Sequence, residues 1–83
     1  MIYNSVEKTT IYRVRYLSKI YDVYLADGEL DIATPDQDNA FNNPAYWATA
    51  QELFQKVVTR YEDHGLRNAL TKVGAKVIKS FKA

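Results

Sequence analysis

Eighty-three residues, 47% hydrophobic and 25% charged, suit one globular domain over residues 1–83. A chain this short buries only about 60–65% of its unfolded surface, so a deep catalytic cavity would take core it can barely spare. Cysteine is absent, which rules out disulfides and thiolate metal sites and fits a cytoplasmic protein; the start, Met1-Ile2-Tyr3-Asn4, lacks a signal-peptide pattern, and no apolar run is long enough to span a membrane.

The net charge of +1 conceals a dipolar chain. Residues 1–65 hold ten acids against six Lys/Arg, whereas residues 66–83 hold Arg67, Lys72, Lys76, Lys79 and Lys82 and no acid.

In chain order, residues 9–34 predict an antiparallel meander with strands near 9–17, 20–26 and 30–34. Asp27-Gly28 marks a two-residue hairpin, because both central residues of a type I′ turn need positive φ. Centring the hairpin there pairs Leu25 with Leu30, Tyr24 with Asp31 and Val23 with Ile32. A first hairpin centred on Ser18-Lys19 pairs Tyr16 with Tyr21, Arg15 with Asp22, Val14 with Val23 and Tyr12 with Leu25. Both registers put Tyr12, Val14, Tyr16, Tyr21, Val23, Leu25, Leu30 and Ile32 on one face. Arg13, Arg15, Asp22, Tyr24, Glu29 and Asp31 take the other, with Ile11 and Ile20 at its rim.

Residues 34–43 read as a polar loop. Asn43-Pro44 then opens a helix near 44–63, since Asn caps the first free amides and Pro at the first position forfeits no hydrogen bond. Trp47, Ala50, Phe54, Val57 and Tyr61 recur at helical spacing, which places Trp47 and Phe54 in the centre of the core. Gly65, after His64, is the expected helix stop. Beyond it, Leu66, Ala69, Leu70, Val73, Val77 and Phe81 share a helical period, so a second, basic helix is expected to run on past Gly74. The rival reading ends that helix near Gly74 and makes Ala75–Phe81 a fourth strand, whose alternation is poor because Val77 and Ile78 point opposite ways. The fold class on either reading is α+β.

Routes to catalysis lack their parts. The lone His64 has no second His or Cys for a metal site or a Cys–His pair, and as a helix-end residue it is most simply a cap. Asp36-Gln-Asp38-Asn39 resembles half a calcium loop, but Phe41 and Trp47 stand where Gly and Glu are needed. Glycine occurs only at 28, 65 and 74, in no phosphate-loop spacing. The expectation is a non-enzymatic protein with no cofactor and no metal.

What remains is surface. Arg13, Arg15, Asp22, Tyr24 and Asp31 on the open sheet face form the expected protein-binding surface, because Tyr and Arg dominate binding hot spots; Tyr3 and Tyr46 are read as accessible too. Arg67, Lys72, Lys76, Lys79 and Lys82 form a candidate nucleic-acid contact, with Lys72, Lys76 and Lys79 on one helical track. A protein partner is the first expectation, nucleic acid the alternative, and a second copy of the chain is compatible with both.

Three strands, a polar loop and a long helix over residues 10–63 resemble, in layout, sheet-type DNA-binding modules such as the arm-binding domains of phage integrases. Those present a basic sheet face, whereas here that face carries Asp22, Glu29 and Asp31. A short, cysteine-free, Tyr-rich chain also resembles small host-modulating proteins of phages and mobile elements, anti-CRISPR proteins among them. That resemblance implies a viral inhibitor that binds a host factor.

Overall fold

The computed structural model describes residues 9–35, 40 and 42–82, apart from the side chains of 63 and 64. The meander comes first: β1 spans Thr10–Tyr16, β2 Lys19–Ala26 and β3 Glu29–Ala33. Helix α1 covers Pro44–Val58, a single turn α2 Tyr61–His64, and α3 Leu66–Lys72; β4, Lys76–Lys82, is the last described element. The four strands form one antiparallel sheet in the order β3-β2-β1-β4. The expectations for Tyr3, residues 36–39 and the His64 side chain fall outside the described residues.

The second hairpin has the register its turn dictates, pairing Leu25 with Leu30 and Tyr24 with Asp31. Asp27 and Gly28 both sit at positive φ, 52° and 81°, as a type I′ turn requires. The first hairpin turns one residue earlier than expected, at Leu17-Ser18, with φ of 50° and 66°. Moving a two-residue turn by one position shifts the pairing by two, so every side chain keeps its face. The neighbours change, however: Asp22 now lies across from Arg13 rather than Arg15.

Helix α1 begins as its cap predicts, with Asn43 accepting a hydrogen bond from the Tyr46 amide at 3.1 Å and Pro44 at the first turn. It buries Tyr46, Ala50, Leu53 and Val57, a stripe of spacing four, three, four. Trp47 and Phe54 lie one residue further round, about 100° away. Trp47 is therefore 43% exposed and Phe54 only flanks the core, which corrects their expected central place. Tyr46, read as accessible, is buried instead. The helix stops at Val58, five residues short of expectation: the Arg60 amide turns to the Val57 carbonyl at 2.9 Å, and the Lys56 carbonyl accepts from Thr59 Oγ1 at 3.1 Å and Arg60 Nη1 at 2.9 Å.

The continuous basic helix is not formed; the helix-and-strand alternative is. Gly74, at φ 90°, lets the Ala75 amide reach the Leu70 carbonyl at 2.9 Å and its own amide reach Thr71 at 3.1 Å, the paired bonds of a left-handed helix stop. The chain then returns along β1. The awkward Val77-Ile78 pair is absorbed by a register shift: Arg13 pairs with Lys79 but Val14 with Val77, so Ile78 is the extra residue of a bulge. The bulge lets Val77 pack on the main core and Phe81 on the opposite face.

The main core joins Val14, Tyr16, Tyr21, Val23 and Leu30 of the sheet to the α1 stripe and to Leu66, Ala69 and Leu70 of α3. Leu53→Ala should cost about 2–5 kcal/mol for the lost burial and the cavity left behind. At Gly74 an added Cβ meets nothing within 4 Å, so the penalty there is purely one of backbone conformation. Gly74→Ala should destabilise by about 1 kcal/mol in urea denaturation. A helix running through this position would instead be stabilised by about 1 kcal/mol by the same change.

Candidate protein-interaction surface

The sheet face opposite the helices is not the open surface that alternation suggests. Ile11 and Asp22 are 0% exposed and Tyr24 only 4%, so the expected accessibility of Asp22 and Tyr24 is corrected, and Ile11 is central rather than at a rim. Ile11 and Tyr24 form a second small cluster with Ala26, Ala33 and Phe81. Arg13 carries the electrostatics of this face. Its Nε lies 2.8 Å from Asp22 Oδ1 and its Nη2 3.1 Å from Oδ2, and the guanidinium sits 5.2 Å over the Phe81 ring. A buried carboxylate requires such a forked partner. Tyr24 donates to Asp31 Oδ2 at 3.2 Å. Burial, then the neighbouring Asp31 carboxylate, pushes its phenol up to about 12.

Of the predicted binding residues, Arg15 and Asp31 are exposed, Arg13 is half-buried, and Asp22 and Tyr24 are internal. The predicted nucleic-acid residues are exposed but divided: Arg67 and Lys72 lie on α3, and Lys76, Lys79 and Lys82 on β4. The single helical track of Lys72, Lys76 and Lys79 does not exist. Lys76 and Lys79 pair instead with Arg15 and Arg13 of β1. Lys82 donates to Thr10 Oγ1 at 2.7 Å.

On the helical side, tyrosines bolt α1 to the sheet. Tyr21 donates to the Tyr46 carbonyl at 2.8 Å, and the two rings lie 4.6 Å apart. The Tyr46 hydroxyl donates to the Ile20 carbonyl, which leaves the Thr34 hydroxyl, 2.7 Å away, to donate to it in turn. Burial is the main cause of the Tyr21 phenol being pushed up to about 12. At the strand end, Lys56 Nζ donates to Tyr16 Oη at 3.0 Å and Tyr16 donates to Glu52 at 2.9 Å. The bond to Tyr16 and the nearby Glu52 carboxylate hold the exposed Lys56 ammonium above the ordinary lysine range.

The surface that sequence reasoning missed lies beside α1. A shallow groove of about 220 Å³ is lined by Asp31 and Ile32 of β3 and by Trp47, Ala50, Gln51 and Phe54 of α1. Trp47 is fixed at its mouth: Nε1 donates to the Ala40 carbonyl at 2.9 Å, and the ring meets Tyr46 edge-on at 5.1 Å. The helical period by itself did not separate the two neighbouring stripes. The buried stripe runs through residues 46, 50, 53 and 57, which leaves Trp47 and Phe54 on the flank. Among the described residues, no helix is long and apolar enough to cross a membrane, and no group of three or more His, Asp or Glu is placed to hold a metal ion. No protein-family model, curated protein or solved structure matches the chain.

Two measurements test this geometry. Arg13→Met should cost about 3–5 kcal/mol by taking the forked guanidinium away from a buried carboxylate, and adding Asp22→Leu should recover most of the loss. Tyr21 and Tyr24 supply the second test. Their folded values lie above the unfolded phenol value of about 10, so the stability they contribute is complete below about pH 10. It is lost as pH rises through about 12. In an alkaline titration followed by phenolate absorbance and circular dichroism, the last of the seven tyrosines should ionise together with unfolding.

Proposed function

We propose that this chain is a non-catalytic protein-binding module whose contact surface is the groove between β3 and α1. The observation that carries this reading is Trp47. A tryptophan left 43% exposed while its indole is tethered by a hydrogen bond and an edge-on ring contact is a rigid apolar anchor. Such an anchor loses little conformational freedom on binding, and tryptophan is among the residues that dominate interface energetics. Ile32, Ala50 and Phe54 continue the apolar surface, and Asp31 and Gln51 provide a polar rim.

The groove borders the outer edge of β3, so an extended partner segment can add to the sheet while its side chains enter the groove. Glu29 and Asp31 face the other side of such a segment and favour basic residues there. A small chain with this anchor suits a protein that works by occupying another protein's surface. The cytoplasmic, host-directed inhibitor implied by the resemblance to phage host-modulating proteins is the specific form of this proposal. Nucleic-acid binding is the second reading: its basic residues lie on two elements, α3 and β4, with Arg67 and Lys76 lining one pocket.

Capture of a partner by wild-type protein, compared with Trp47→Ala, tests the reading. Loss of a central anchor costs about 2 kcal/mol or more, which is about thirtyfold in affinity. Trp47→Ala should keep its fold by circular dichroism and lose the partner, while Arg15→Ala retains it. A partner bound equally by Trp47→Ala overturns the assignment. As the only tryptophan, Trp47 should also shift its fluorescence to the blue when the partner binds.

A further inference from the structure

Among the described residues, the two edges of the sheet carry opposite charge in matching register. Edge strand β3 presents Glu29 and Asp31, both exposed; edge strand β4 presents Lys76 and Lys79, also exposed. All four lie on the same face of the sheet. Glu29 and Asp31 pair with Ala26 and Tyr24, and Lys76 and Lys79 pair with Arg15 and Arg13, residues of the face opposite the helices. The bulge at Ile78 matters here. Without it Lys76 and Lys79, three residues apart, would point to opposite faces.

We propose that this chain associates with further copies of itself head to tail, β3 of one molecule pairing with β4 of the next. The directions fit. In the order β3-β2-β1-β4, with every pair antiparallel, β3 and β4 run in opposite senses, so a copy displaced along the sheet brings its β4 antiparallel to β3. The register fits as well. Setting Glu29 against Lys79 sets Asp31 against Lys76, because the bulge takes up the extra residue just as it does against Arg13 and Arg15.

Backbone polarity agrees. The residues flanking a two-residue hairpin turn bond to each other, so alternate residues direct their N–H and C=O outward. On β3 the outward residues are Leu30 and Ile32, the Ile32 amide already donating to Asp31 Oδ1 at 2.8 Å, and on β4 the same alternation turns Val77 and Ser80 outward. Opposing Glu29 to Lys79 places outward groups opposite outward groups. Like edges are excluded by the same charges: β3 on β3 sets acid against acid, and β4 on β4 sets lysine against lysine.

The contact is heterologous, so it generates a chain or ring rather than a two-fold dimer. The shorter of its two strands, β3, has only five residues, which puts the contact among weak interfaces. This inference stands on edge charge and register and does not depend on the Trp47 groove.

Sedimentation of the full chain up to about 1 mM, at salt from about 0.01 M to 1 M, tests it; over that range the screening length falls from about 30 Å to about 3 Å. Wild type should associate at low salt and dissociate at high salt. Glu29→Lys with Asp31→Lys, or Lys76→Glu with Lys79→Glu, should each weaken association about tenfold or more, since two cross-strand attractions become repulsions. Mixing the two variants should restore it, because each then meets an opposite edge. Wild type that stays monomeric at low salt, charge reversal without effect, or a mixture that fails to associate overturns the proposal. Hydrogen exchange on wild type needs no variant to fold: the Leu30 amide should gain protection with concentration at low salt, and no gain is equally a refutation.

Discussion

The positive φ of Gly74 is the constraint on which the rest of the architecture depends. By ending α3 in a left-handed residue it reverses the chain, and Lys76–Lys82 lies down along β1. β1 thereby becomes an interior strand, buried on the helical face by Val14 and Tyr16 and on the other by Ile11. A continuous helix here would leave β1 as an unpaired edge and Phe81 away from Ile11. The lysines too owe their arrangement to this turn, because a strand spreads them along an edge where a helix would have stacked them on one side.

The second face shows how a small domain manages a two-sided sheet. Asp22, fully buried, is tolerable because Arg13 clasps both its oxygens, and the aliphatic and planar surface of Arg13 covers Phe81. The one-residue displacement of the first turn follows the same logic. Pairing Asp22 with Arg13, flanked by β4, places the carboxylate beside a cation in the sheet interior, whereas Arg15 stands exposed near the strand end.

Function, in this reading, is confined to what the core leaves uncovered. The tyrosines spend their hydroxyls on internal bonds, Tyr21 and Tyr46 holding α1 on the sheet and Tyr24 bonding Asp31. Among the described residues, Trp47 alone combines a large apolar area, a fixed orientation and exposure, and it does so beside a strand edge that none of them pairs. An abundance of tyrosine therefore pointed to the framework, and the single tryptophan points to the surface.

Residues close in the chain settled by themselves most of what depended on local geometry, the position of the first hairpin turn excepted. Asp27-Gly28 specified its turn and register because few residues accept positive φ, Asn43-Pro44 specified a helix start, and strand alternation assigned each side chain of the meander to its face. Tertiary structure decided the rest. Whether residues 75–81 continue a helix or pair with β1 depends on hydrogen bonds to a strand sixty-odd residues earlier, and the bulge that repairs their alternation exists only against that partner. Which side of α1 is buried turned on a rotation of one residue, fixed by the bonds of Tyr46 to Ile20 and Thr34. A helical period defines a stripe to within about 100°, and the difference between core anchor and surface anchor for Trp47 lies inside that margin.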